Sequence, residues 1–317
     1  MSDSSHSATM LHQGNDAVRS RRDFAFALYV VLLTGAFGRS LVGLLAEVLH
    51  SDLNSYIVLI PLVSIYFFYS ERSRFSSDRR SSVLWALPPL IAGSIALFFV
   101  ANHASDDLSP NDRNTFITLA FVCFLWAGGF LFMGSKWMVS VAFPMFFLIF
   151  LVPLPDQIVD WMEFGLQVAS SEAANLFFAL TNTPAMQSGT VFQLPGITLQ
   201  VSHECSGIKS SWVLFITSII AAKSFLWKPW SRIALVACVL PLGILRNGFR
   251  IMVIGLLCVH VDPDMIHSYI HRRGGPIFFA LSLVPLLLFL WLLRRQQSPN
   301  RMGDTAGAEV AIATGPK

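Results

Sequence analysis

Apolar runs about twenty residues long alternate with short polar breaks along most of the chain. A bilayer core about 30 Å thick needs roughly 20 mostly apolar residues per helical span. Eight segments reach or approach that length, at roughly 24–46, 53–70, 83–101, 115–134, 136–154, 206–224, 231–260 and 275–293. The pattern predicts an all-α polytopic membrane protein with about eight transmembrane helices. Residues 1–23 are polar and Ser-rich, and residues 294–317 are polar and rich in Gly and Ala. Both are expected to be disordered tails around a membrane domain at 24–293. No signal peptide is expected, because the first apolar run after Arg19, Arg21 and Arg22 is too long for one. No internal repeat is visible, which weighs against a transporter built from repeated halves.

The one long interruption, 155–205, has patterns of its own. Asp156, Asp160, Glu163, Gln167 and Ser170 recur at helical spacing, with Ile158, Trp161, Met162, Leu166 and Ala169 elsewhere on the wheel. That predicts an amphipathic helix lying on the membrane surface. Around Pro195-Gly196 the period changes to two. Val191 and Gln193 alternate with Phe192 and Leu194, and Ile197, Leu199 and Val201 with Thr198 and Gln200. A small β-hairpin is expected there, with an irregular loop as the alternative at this length.

Composition fits the span count. Hydrophobic residues make up 54% of the 317 and charged residues only 13%, against about 25% charged in a soluble domain. A soluble globular enzyme and a disulfide scaffold are excluded. A net charge of +3 implies no nucleic-acid partner. Lys and Arg are retained in cytoplasmic loops. Arg72, Arg74, Arg79, Arg80, Lys136, Lys223, Lys228, Arg232, Arg294 and Arg295 mark one set of loops, and Glu47, Asp52, Asp106, Asp107 and Asp112 the other. Both termini are then expected in the cytoplasm and the 155–205 segment outside, in a cell inner (plasma) membrane. Trp85, Trp137, Trp227, Trp230 and Trp291 fall near the inner ends, as an interfacial aromatic belt requires.

A few polar groups obey neither pattern. Arg246 and Arg250 lie within the seventh span, four apart on one face, with Asn247 beside them. Ionisable groups inside a span are costly and mark functional sites by default; an Arg there can also anchor helices by bonding backbone carbonyls. Of four cysteines, Cys123, Cys238 and Cys258 are mid-span and read as core. Cys205 instead begins the sixth span, in His203-Glu204-Cys205-Ser206-Gly207. The positive end of a helix dipole favours thiolate, Lys209 adds to it and Glu204 opposes it. The last external loop carries His267, His271, Arg272 and Arg273. His267 and His271 are four apart, but Ser268 stands where a zinc protease needs its Glu, so no metal or other cofactor is expected. No phosphate loop or nucleophile elbow is present in the sequence.

Taken together, these motifs resemble the exosortase/archaeosortase family of integral-membrane cysteine transpeptidases. Leu151-Val152-Pro153-Leu154-Pro155, Leu194-Pro195-Gly196-Ile197 and Glu204-Cys205-Ser206-Gly207-Ile208 resemble the approach to the family's nucleophile. Asn247-Gly248-Phe249-Arg250 resembles its N-x-x-R helix motif, and His271 with Gly275 and Phe279 its final His motif. Asp52-Leu53-Asn54-Ser55-Tyr56 is loosely similar to an earlier family segment, without its Ser-His pair. The resemblance implies Cys205, Arg250 and His271 as catalytic residues. It gives Asn247, Glu204, Ser206 and Gly207 supporting positions, and makes Arg246, Arg272, Arg273 and His267 candidates for substrate or lipid contacts. It further implies membrane-anchored substrates with a C-terminal Pro-containing motif, a transmembrane helix and a basic tail, and an acceptor at the cell surface. Two other readings remain: a membrane protease that uses water as acceptor, and a non-enzymatic scaffold or anion transporter using the buried Arg residues.

Overall fold

The computed structural model describes residues 3–50, 54–76, 80–103, 107–201, 207–262 and 275–297, with side chains from Ser20 onward except those of residues 49, 50 and 276. The protein is mostly helical with one small sheet. It divides into two compact units, Met1–Val159 and Asp160–Lys317.

Five helical segments are long and apolar enough to cross a bilayer: Val83–Asn102, Pro110–Met133, Ile208–Phe225, Pro229–His260 and Ile277–Gln296. Two bent pairs, Ser20–Ala36 with Gly38–Val48 and Ala142–Leu151 with Asp156–Leu180, raise the number to seven if each is one span. The protein is thus multi-pass, with five to seven candidate spans among the described residues where the hydropathy pattern suggested eight. The shortfall has local causes. The segment expected at 24–46 bends by 63° around Phe37, between Gly35 and Gly38, because glycine weakens a helix. The segment expected at 53–70 is an apolar helix of only Ser55–Ser70. The one at 136–154 is in pieces, breaking after Ser140. Pro144 has no N–H for the Ser140 carbonyl four residues back.

In the first unit, α1 (Asp3–Ala36) and α2 (Gly38–His50) precede α3 (Leu59–Ser70), α4 (Val83–Asn102) and α5 (Pro110–Gly128). Two short helices, α6 (Ser135–Ser140) and α7 (Ala142–Phe147), follow. Gly93 lets α4 approach α5 closely, since a methyl there would meet Phe124 at 3.0 Å and Cys123 at 3.2 Å. Ser109 caps α5 by accepting from the Asp112 amide at 3.0 Å, with Pro110 in the first turn. The same corner holds the start of α8 (Asp156–Leu180). Asn111 Nδ2 donates to Asp156 Oδ1 at 2.7 Å and to the Leu154 carbonyl at 2.8 Å, Ser109 Oγ donates to Asp156, and the Asp156 amide donates to Asp112 at 2.9 Å. Asp156 is therefore a fastener as well as part of a polar helix face. Trp137 is a further correction: it is 1% exposed, in a core with Met133, Met138, Val141 and Met145. Trp85, Trp227, Trp230 and Trp291 are exposed, as a belt requires.

The second unit contains most of α8, strands β1 (Met186–Ser188), β2 (Val191–Leu194) and β3 (Ile197–Gln200), and helices α9 (Ile208–Phe225), α10 (Pro229–Ala237), α11 (Val239–His260) and α12 (Gly275–Gln296). The expected hairpin is β2–β3, antiparallel with Phe192 opposite Leu199 and Leu194 opposite Ile197. Its turn is Pro195-Gly196, with Gly196 at φ +82°, which suits a type II turn. β1 extends it to three strands, with Met186 opposite Gln193. The alternation points Phe192, Leu194, Leu199 and Val201 into one core with Ala174, Phe178, Ile251 and Met252.

The polarity of α8 is as expected only in part: Asp160 is exposed and Leu166 buried, but part of the polar row turns inward. Gln167, Ser170 and Ser171 are buried, whereas Trp161, Phe164, Val168, Leu176 and Leu180 are exposed. In a bilayer the apolar face belongs outside and polar groups find partners within. Gln167 Nε2 donates to the Val201 carbonyl, which ties α8 to the end of the hairpin. Gly248 of α11 faces Ala173 and Ala174, and Gly255 faces Phe178. Both pairs advance together, so α8 and α11 run in the same direction where they touch.

Candidate active site

The site is built on the middle of α11. A turn of 3.6 residues puts Arg246 and Arg250 on one face. Arg246 is 7% exposed and Asn247 2%; Arg250 is half-buried. Three other elements converge on this stretch.

From α9 comes Gly207, the residue before its first turn. Gly207 has φ +74°, and a side chain there would lie 3.1 Å from Asn247 and 3.3 Å from Arg246 Nη2. Glycine alone combines that backbone shape with so close an approach. Arg246 Nη2 donates to the Gly207 carbonyl at 3.2 Å and to Ser211 Oγ at 3.1 Å. From α8 comes the Ala173-Ala174 step against Gly248. From α12 comes Phe278, whose ring meets that of Phe249 edge-on at 6.4 Å. Phe249 directly precedes Arg250 in α11.

The structure brings together Gly207, Arg246 and Asn247, and carries Arg250 one turn further on. Glu204, Cys205, Ser206, His267, His271, Arg272 and Arg273 lie outside the described residues. Sequence reading gave no role to Ser211, the side-chain acceptor for Arg246. Its spacing of four from Gly207 was the available signal, since those positions share a helix face. Also missed was Ser171, 0% exposed beside the equally buried Ser170. Helical spacing groups small hydroxyls on a face but does not say that the face turns inward.

A multi-pass helical membrane protein with one guanidinium buried against a helix start and a second, half-buried, one turn on is the class that fold and site define. The family model described as transmembrane exosortase matches residues 48–288, and the chain belongs to that family. No match is found among curated proteins or among solved structures. The matched range contains every residue proposed for the site.

Proposed function

We propose that the protein is a membrane-embedded cysteine transpeptidase. It cleaves a C-terminal sorting signal, made of a Pro-containing motif, a transmembrane helix and a basic tail, and transfers the processed protein to a surface acceptor. Family membership supports the reaction class. One geometric observation supports the residue assignment: Gly207 is held against Arg246 and Asn247 of the helix that carries Arg250. Only two peptide links separate residue 205 from Gly207, a reach of at most about 7 Å.

In this mechanism the Cys205 thiolate attacks the scissile carbonyl, forming a tetrahedral oxyanion. Its collapse expels the amine and leaves a thioester, so one difficult step becomes two easier ones. Arg250 stabilises the oxyanion, a contribution on the order of 3 kcal/mol for a fixed donor in a low-dielectric site. Asn247 orients Arg250 or donates to the same oxygen. His271 protonates the leaving amine and then deprotonates the acceptor that resolves the thioester. Glu204 and Ser206 flank the nucleophile; Arg272, Arg273 and His267 contact substrate or lipid headgroups. The charge pattern supports a cell inner membrane, cytoplasmic tails at 1–23 and 294–317, and an active site on the extracytoplasmic side.

The test is processing of a tagged substrate in cells carrying Cys205→Ala or Cys205→Ser, with the variant's membrane level checked. Loss of processing in both is expected. Normal processing in either would sink the nucleophile assignment. Tolerance of Cys205→Ser together with loss on removing Arg246 or Arg250 would favour an anion-binding scaffold.

A further inference from the structure

Arg246 has no part in the chemistry above, yet it is the most deeply buried cation among the described residues of α11. Its contacts are specific. Nη2 bridges the Gly207 carbonyl at 3.2 Å and the Ser211 hydroxyl at 3.1 Å. Nη1 is buried with no hydrogen-bond partner among the described residues.

The first turn of α9 does not need this bond to close. The Gly207 carbonyl already accepts from the Ser211 amide at 3.0 Å and from Ser210 Oγ at 3.1 Å. A third donor from another helix therefore adds little to α9 itself. What it adds is a tie between helices. Gly243, one turn before Arg246, also meets Ser211, where a methyl would stand 2.8 Å from Oγ. The two helices are thus in contact on both sides of the bond. A guanidinium is a costly group to bury as an anchor. An apolar pair at this contact would hold α9 to α11 without that cost, so stability alone does not explain the residue.

We infer that Arg246 is a positioning residue: it ties the Gly207 turn to α11 and so fixes the segment entering α9 relative to Arg250. The inference rests on the transpeptidase reading. It revises the expectation that Arg246 contacts substrate or lipid, because its placed donor is committed within the chain. A change that loosens the tie should lower turnover and leave substrate binding alone, since the oxyanion forms only when nucleophile and cation are in register.

The test uses the full-length protein in lipid nanodiscs as wild type, Arg246→Met, Arg246→Lys and Ser211→Ala. Two quantities are read: hydrogen exchange in peptides covering residues 208–214, and kcat and KM for a tagged substrate. Arg246→Met should raise exchange and lower kcat about tenfold or more with KM nearly unchanged. Arg246→Lys should recover part of the loss, because an ammonium can still donate to the Gly207 carbonyl. Ser211→Ala, which keeps the cation and removes one acceptor, should move both quantities less and in the same direction; it decides the matter if Arg246→Met does not accumulate.

Unchanged exchange in Arg246→Met would overturn the tie. Faster exchange with unchanged kcat would overturn the positioning role, and a raised KM at constant kcat would return Arg246 to substrate contact. Processing by Cys205→Ala would remove the transpeptidase reading, and the exchange measurement would still decide whether the tie exists.

Discussion

Gly248 of α11 packs directly on Ala173 of α8: a methyl group added at Gly248 would stand 2.7 Å from the Ala173 side chain and 3.0 Å from the Ala174 backbone nitrogen. The partners are an alanine methyl and the α8 backbone, so no side-chain rotation relieves the contact. Gly248→Ala is expected to destabilise the protein by about 1–3 kcal/mol, the usual cost of overpacking. Thermal unfolding in detergent reads this directly. Gly165 provides the control, because it is helical, exposed and has open space where a methyl would go. Gly165→Ala should be neutral or stabilising by up to about 1 kcal/mol.

Asp156 ties the start of α8 to the start of α5 by accepting from Asn111 and Ser109 while its amide donates to Asp112. Asp156→Ala leaves two donors without their acceptor. A stability loss of about 1–2 kcal/mol is expected for this partly exposed cluster, with Asp156→Asn losing less. The unfolding midpoints of the two variants give the comparison.

Gln167→Ala should release the Val201 carbonyl from its bond to α8. Both groups are buried, and an unmatched carbonyl there costs about 1–3 kcal/mol. The predicted signature is local: faster hydrogen exchange in the 191–201 hairpin than in α12. Equal changes in both would mean that Gln167 supports the second unit as a whole.

Arg250→Gln is expected to lower the processing rate about a hundredfold at normal membrane abundance, which corresponds to losing about 3 kcal/mol of oxyanion stabilisation. Arg250→Lys should retain part of the rate, because charge survives while the fork geometry does not. A rate within a factor of about two of wild type in Arg250→Gln would contradict the role given to this residue.

Legibility in the sequence followed the range of the interactions. The hairpin was readable because Pro195-Gly196 and a two-residue period act over a few positions. α11 was readable because two Arg residues inside an apolar run stand out against their neighbours whatever their role. The break after Ser140 depends on Pro144, and hydropathy averages straight through it. β1 is three residues long and has no alternation to read; pairing with β2 makes it a strand. The inward turn of Gln167 and Ser170 on α8 was not readable because a helical wheel shows two faces and not which one meets lipid. The bond from Arg246 to Gly207 spans 39 positions, and no local pattern announces it. The assignments of Cys205 and His271 still stand on the motifs and the family.

The central claim is an acyl-enzyme at Cys205, and hydroxylamine tests it most directly. Thioesters react with hydroxylamine to give a hydroxamate, whereas ordinary peptide bonds do not at neutral pH. Membranes containing the full-length protein and a tagged substrate should, on adding hydroxylamine, yield substrate ending in a C-terminal hydroxamate at the Pro-containing motif, detected by mass spectrometry. The account predicts that this product forms with wild type and is absent with Cys205→Ala. Equal hydroxamate from Cys205→Ala, or cleavage by wild type with no hydroxamate at saturating hydroxylamine, would contradict it.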